Sequence, residues 1–327
     1  MTASKSTLSP LDSVLQTVAA GAWTFVFIFG GMLGLICLGL LFFSPYYPVV
    51  FLYLGWMFWD RHTCETGGRR SEWVRNWTWW RLNRDYFPVR LVKTVPLPPS
   101  SNYLFAVYPH GVFSTGPICN FCSNATEFGS LFPGLSPSLL TVNYNFWMPL
   151  FRELLLAKGF LSVSERSIAH TLNKSKGGRV LCIMVGGLRE CSKCRPGRYE
   201  IILKPRKGFV RLAIKTGTPL VPVFTFGETD LYDQASSPRL IWIQKLVRQL
   251  TGINLCIPIG RGLFLIPRRH ELTTVVGAPI HVPKDSEPSQ DLIEEYHKKY
   301  MDCLTRLFED HKHKYVDNAE ITKLVIV

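Results

Sequence analysis

The chain has 327 residues, 47% of them hydrophobic, and 37 Lys and Arg against 24 Asp and Glu give a formal net charge of +13. Such a chain buries the core of one full-sized domain with an appendage, and its basic surplus calls for nucleic acid, an anionic membrane surface or a phosphorylated small molecule. Nine cysteines scattered from Cys37 to Cys303 exclude a regular disulfide framework and fit a reducing, cytosol-facing setting.

The first 19 residues read as a cytosolic segment. Residues 20–43 then carry no charge over 24 positions. At 1.5 Å per residue a helix of that length covers about 36 Å, more than the roughly 30 Å hydrocarbon core of a bilayer. The run is too long for the apolar region of a cleaved signal peptide, so a retained membrane helix is expected. Gly30 and Gly34 within it form a GxxxG spacing, a candidate helix-packing face. Ser44, Pro45 and Pro48 break the helix. Residues 49–59 form a second apolar stretch, too short for an independent span, and read as the return limb of a membrane hairpin or a re-entrant piece.

A basic flank follows. Arg61, Arg69, Arg70, Arg75, Arg81, Arg84, Arg90 and Lys93 face only Asp60, Glu65, Glu72 and Asp85, which places this side in the cytosol. Trp59, Trp73, Trp77, Trp79 and Trp80 interleave with the arginines, as at a headgroup interface. The same mixture suits nucleic acid, but its position beside a membrane segment favours lipid. Three N-x-S/T triplets, at Asn76, Asn124 and Asn173, fall on this cytosolic side and read as unused.

Beyond Pro99 strand-like and helix-like runs alternate. Strands are expected at 103–108, 179–185, 199–203, 220–226 and 272–276. Helices are expected at 148–158, closed by Gly159, and at 208–216, closed by Gly217. Near the end, 291–314 places Leu292, Tyr296, Tyr300, Cys303, Leu304, Leu307 and Phe308 on one face. The alternation defines an α/β layered domain over 60–327, broken only by a long insertion at 233–263.

The chemistry centres on His110. The apolar run 103–107 stops at a Pro-His-Gly corner, which sets an imidazole at the carboxyl end of a buried strand, where open α/β sheets keep their sites. As a general base it would take a proton from a hydroxyl attacking an activated acyl group. A carboxylate normally orients such a base. The candidates are Glu190, after the VGG strand end, and Glu228, after VPVFTFG, both beyond strand ends that converge on one sheet edge. Backbone N–H groups near Gly111 or the Asn120 side chain are candidate oxyanion donors. Arg206, Lys207 and Arg211 sit at the start of the helix opened by Gly208, a pattern that holds phosphate. Cys119-x-x-Cys122 and Cys191-x-x-Cys194 have the ligand types of a zinc site, but their wide separation favours ordinary buried thiols, and no metal is expected. A membrane-bound chain with a histidine base and a phosphate patch fits acyl-CoA, polyanionic at one end and greasy at the other.

Seven segments appear in the order of a known family: GGRRSEWVRNW (67–77), RDYFP (84–88), YPHG (108–111), VGGLRE (185–190), RKGFVRLA (206–213), VPVFTFGE (221–228) and VVGAPI (275–280). Together they resemble the type-2 diacylglycerol acyltransferases and their monoacylglycerol acyltransferase and wax synthase relatives, over nearly the whole chain. The resemblance implies acyl transfer from acyl-CoA, as co-substrate, to a neutral lipid alcohol, without cofactor or metal. It implies an endoplasmic reticulum membrane location with the domain facing the cytosol, with lipid droplets as a second location. It makes His110 catalytic and matches FLYL, with Phe51, Leu52 and Leu54, to a neutral-lipid-binding motif. The family is similar to glycerolipid acyltransferases, whose layered domain pairs a histidine with an aspartate five residues on. Here that position is Thr115, so Glu190 is expected to serve instead. A glyceride is the expected acceptor, with a long-chain alcohol as the alternative and a non-catalytic lipid-binding scaffold as the rival class. No nucleic acid is expected as a partner, and homo-oligomerisation stays open.

Overall fold

Ser9 starts the first helix: its hydroxyl oxygen accepts the Asp12 N–H at 3.1 Å, and Pro10 opens the first turn. In this computed structural model, which describes residues 9–234, 237–251, 257–261 and 266–327, helix α1 runs from Pro10 to Phe42. The segment expected to precede the membrane helix is therefore helical from residue 10, because the cap and the first-turn Asp12 favour helix beyond the apolar run. The chain turns at 43–46, and α2 (Tyr47–Trp59) returns as a 13-residue helix with Pro48 in its first turn. That is about 20 Å of helix, short of a bilayer core.

Two short helices, α3 (Glu72–Arg75) and α4 (Thr78–Tyr86), lead into the domain. Eleven strands are described: β1 (Val89–Lys93), β2 (Tyr103–Tyr108), β3 (Ser136–Thr141), β4 (Phe160–Ser162), β5 (Arg179–Met184), β6 (Tyr199–Ile201), β7 (Leu220–Phe226), β8 (Asp233–Gln234), β9 (Pro258–Ile259), β10 (Leu272–Val276) and β11 (Leu324–Ile326). Between them lie α5 (Thr115–Phe121), α6 (Phe128–Leu131), α7 (Phe151–Lys158), α8 (Glu165–Lys174), α9 (Gly187–Cys191), α10 (Gly208–Thr216), α11 (Pro238–Thr251) and α12 (Gln290–Tyr315).

Seven strands form the main sheet in the order β1-β10-β7-β2-β5-β3-β4. Every pairing is parallel except β10 with β7. Strand β2 is central and buried on both faces. Its Leu104, Ala106 and Tyr108 pack toward Phe209 of α10 and Tyr300 and Phe308 of α12, while Phe105 and Val107 join Phe121 of α5 and Leu155 of α7. Alternation of side chains across the pleat produces these two cores.

The expected strands 103–108, 220–226 and 272–276 form with those bounds, as does the helix 208–216. The expected strand 199–203 shortens to β6 and leaves the main sheet to pair with the C-terminal β11. The helix expected from 148 begins at Phe151, because Pro149 has no N–H and Leu150 holds a positive φ of 61°. Of the expected insertion at 233–263, β8, α11 and β9 are described, and residues 235–236, 252–256 and 262–263 lie outside the described residues.

Helix α1 is fastened to the domain. Trp23 meets Trp80 edge-on at 5.2 Å, and the buried Lys158 ammonium lies 3.0 Å from the centre of the Trp80 ring. At the hairpin's far end, Arg152 is fully buried and pairs with Asp60 at 2.7 Å. The GxxxG face packs against the start of α7 and the chain just before it: a Cβ on Gly30 would stand 2.9 Å from the Phe151 ring and one on Gly34 2.0 Å from the Pro149 carbonyl oxygen.

Candidate active site

Strand β2 delivers Pro109, His110 and Gly111 to the carboxyl edge of the sheet, after a cis Tyr108–Pro109 peptide. Its neighbours β5 and β7 run parallel to it, so the chain leaving each emerges at the same edge. Glu190 follows β5 on α9, and Glu228 follows β7. Both reach the His110 corner.

Glu190 does not touch the imidazole. Its Oε1 accepts the backbone N–H of His110, and its Oε2 accepts the Ile202 N–H at 2.8 Å. The expected orientation of the ring by Glu190 is thus replaced by a grip on the main chain. Glu228 braces the other side of the corner: Oε1 accepts the Thr115 N–H at 2.7 Å and Oε2 the Gly116 N–H at 2.8 Å. Gly111 lies between, with φ of +59°, and a Cβ there would stand 2.6 Å from the Glu228 side chain. Only glycine meets both demands. Burial outweighs the N–H donors that pull the other way, and each carboxyl is raised to about 7.

The imidazole is oriented by its neighbour in sequence. His110 Nδ1 lies 3.1 Å from the Gly111 carbonyl oxygen. A carbonyl only accepts, so Nδ1 carries the hydrogen and Nε2 keeps its lone pair. Burial lowers the pKa of the ring, which holds it in this neutral, basic form near pH 7.

His110 lines a half-enclosed cavity of about 310 Å³. Its walls are largely apolar: Phe27 of α1, Phe113, Leu139 and Val142 around the end of β3, Phe160, and Ile183 and Met184 of β5. Ser114, Tyr144 and Asn145 supply polar atoms. A neutral imidazole lining a largely apolar cavity suits proton removal from a greasy substrate.

Other expected site residues lie elsewhere. Asn120 is fully buried on the sheet side of α5, where its amide donates to Thr274 Oγ1 at 2.9 Å, so it does not line the cavity. The N–H groups of Thr115 and Gly116, near Gly111, are held by Glu228. Lys207 pairs with Glu294 at 2.8 Å and Arg211 with Glu165 at 3.1 Å, because α10 lies between α12 and α8 and their acids face it. Arg206 turns inward, donating to the Gly186 carbonyl at 3.2 Å behind the Glu190 turn. The three do not form one phosphate cradle. Phe51, Leu52 and Leu54 are exposed on α2 and do not line the cavity. Cys119, Cys191 and Cys194 share a small buried cluster with Leu231 and Leu272.

Sequence reading missed Phe27, Tyr144 and Asn145 as cavity residues. A signal was present: residues 128–151 contain no charged side chain in a chain that is 19% charged.

Fold and site together describe an α/β domain whose strand-edge histidine borders a largely apolar cavity. The chain belongs to the diacylglycerol acyltransferase family, whose model matches residues 39–326. It is 44% identical to the 2-acylglycerol O-acyltransferase 1 of Bos taurus, over 94% of each chain. It is 40% identical to the diacylglycerol O-acyltransferase 2 of Danio rerio, over 98% of this chain and 91% of that one. It is 43% identical to the acyl-CoA wax alcohol acyltransferase 1 of Mus musculus, over 86% of this chain and 87% of the other. The chain is an O-acyltransferase of this family.

Proposed function

We propose that this protein moves a fatty acyl group from acyl-CoA to the hydroxyl of a neutral glyceride. The observation that carries the reading is the neutral His110, its Nδ1 hydrogen held by Gly111, lining the largely apolar cavity. In the step envisaged, Nε2 takes the proton of the acceptor hydroxyl and the oxygen attacks the thioester carbonyl carbon. The C–S bond then breaks, and the sulfur takes the proton back from the imidazolium as CoA leaves as the thiol. No metal or cofactor takes part. Glu190 and Glu228 act as positioning residues for the base.

The glyceride acceptor is supported by 44% identity to a relative named for 2-acylglycerol. A long-chain alcohol is the alternative, supported by 43% identity to a relative named for wax alcohol. We read the layered domain as glycerolipid-acyltransferase-like and α1, 33 residues with a mean hydropathy of 2.6 in its apolar window, as a membrane helix. The domain then lies at the cytosolic face of the endoplasmic reticulum, with lipid droplets as a second location.

The test uses membranes carrying the protein, labelled oleoyl-CoA, and monoacylglycerol, diacylglycerol or hexadecanol in separate reactions. Product with a glyceride, lost in His110→Ala at matched protein level, is expected. Product with hexadecanol alone moves the acceptor to a fatty alcohol. Equal product from His110→Ala removes the histidine base.

A further inference from the structure

Between β3 and α7 the chain does something the alternating α/β pattern does not require. Residues 128–151 are uncharged, and within them Tyr144, Trp147 and Leu150 expose 56%, 75% and 46% of their surface. Three large side chains facing outward on one short segment form an apolar patch rather than a scatter of single exposures. They adjoin α2 through Tyr53, whose hydroxyl accepts the Leu150 N–H at 2.8 Å.

The position of this segment along α1 fixes its depth. A Cβ on Gly30 would meet the Phe151 ring at 2.9 Å, one on Gly31 Met148 at 2.8 Å, and one on Gly34 the Pro149 oxygen at 2.0 Å. Gly34 lies about 21 Å along the helix from Ala20 and about 14 Å from Phe43, the ends of the uncharged run. A chain seated there sits near the middle of whatever apolar layer α1 crosses.

We propose that residues 143–150 form a wedge embedded in bilayer hydrocarbon, opening the His110 cavity sideways to lipid chains. This rests on reading α1 as a membrane helix. The backbone suits the setting: Pro149 has no N–H, Leu150 N–H is taken by Tyr53, Phe151 N–H by the Pro149 carbonyl at 2.6 Å and Arg152 N–H by Met148 at 3.0 Å. The wedge also borders the cavity, since Tyr144 and Asn145 line it together with Phe27 of α1. A lipid acceptor would therefore reach the base without leaving the membrane, and the polar CoA end would remain outside.

The full chain in phosphatidylcholine vesicles, with the photocrosslinker p-benzoylphenylalanine placed in turn at Leu40, Tyr144, Trp147 and Ile321, tests this. Acyl-chain adducts at 40, 144 and 147, with none at the remote 321, are the expected result. Adducts at 40 but not at 144 and 147 overturn the wedge while leaving α1 in the membrane. Adducts at none of the four overturn the membrane reading and the wedge with it. Crosslinks from 147 to a second copy of the chain make the patch a dimer contact and overturn the wedge.

Discussion

Glu190 grips His110 by its main chain: one carboxylate oxygen accepts the His110 N–H, and the other accepts the N–H of Ile202. The acid that sequence suggests as a partner for the ring is instead a clamp on the corner that carries it. Such a role makes Glu190 a positioning residue whose loss misplaces the base without removing it. Glu190→Ala is expected to lower kcat by about 10²-fold, the cost of an ångström-scale displacement, with KM for acyl-CoA within about twofold. Glu190→Gln keeps one acceptor and should lose less. Equal kcat values for parent and Glu190→Ala, at matched protein level, would falsify the clamp.

The two glutamates also set opposing pH dependences. Each carboxyl is pushed by burial from an ordinary 4.5 to about 7, so the folded protein binds these protons more readily than the unfolded chain. The stabilisation is complete below about 4.5 and is lost as pH rises through about 7. Activity runs the other way, because protonation removes an acceptor from the His110 corner. Burial lowers the His110 pKa, so the ring is already neutral at pH 7 and does not set this limb. The kcat profile should show an acid limb near pH 7 that shifts in Glu228→Gln and Glu190→Gln. Melting temperature should fall from pH 5 to pH 8 in the parent and less in the double variant. A limb with the same midpoint in parent and both variants counts against the assignment.

The glycine face of α1 gives a stability prediction. Gly34→Leu drives a side chain into the Pro149 carbonyl, a backbone group that cannot swing aside. Overpacking of this kind costs about 1–3 kcal/mol. Gly39 has nothing within 4 Å, so Gly39→Leu is the matched control. Thermal unfolding in detergent should separate the two variants, and coincident curves would mean that α1 is not docked through this face.

The basic residues at the start of α10, Lys207 just ahead of it and Arg211 within it, are expected to matter little to the acyl donor. Lys207 and Arg211 are half-exposed and already paired with Glu294 and Glu165, solvent-screened contacts that contribute little. Lys207→Ala and Arg211→Ala should leave KM for acyl-CoA within about twofold. A tenfold rise in either would restore the phosphate cradle that the sequence suggests.

Legibility followed burial. Strands β2 and β7 are enclosed on both faces, and their runs, wholly apolar in β2 and with Thr225 the only polar residue in β7, mark them from sequence alone. Helix α10 is as plain, with Gly217 closing it in the left-handed conformation. Strand β3 begins Ser-Pro-Ser and β4 has three residues, so neither carries a period long enough to read. Strand β6 looks like a sheet strand but pairs with β11, more than a hundred residues later, which no local pattern announces.

At the site, the sequence by itself determined the Pro-His-Gly corner, the two glutamates beyond strand ends and the uncharged helix. Each is a property of a short segment: a turn composition, a strand terminus, a run without charge. Only the tertiary structure decided what these groups touch. The β5-β2-β7 order brings Glu190 and Glu228 to the backbone on either side of His110, the Thr274 hydroxyl draws Asn120 away from the cavity, and α8 and α12 take the charges at the start of α10. Partners of this kind are chosen by sheet order and helix packing, which place residues far apart in the chain within hydrogen-bonding distance.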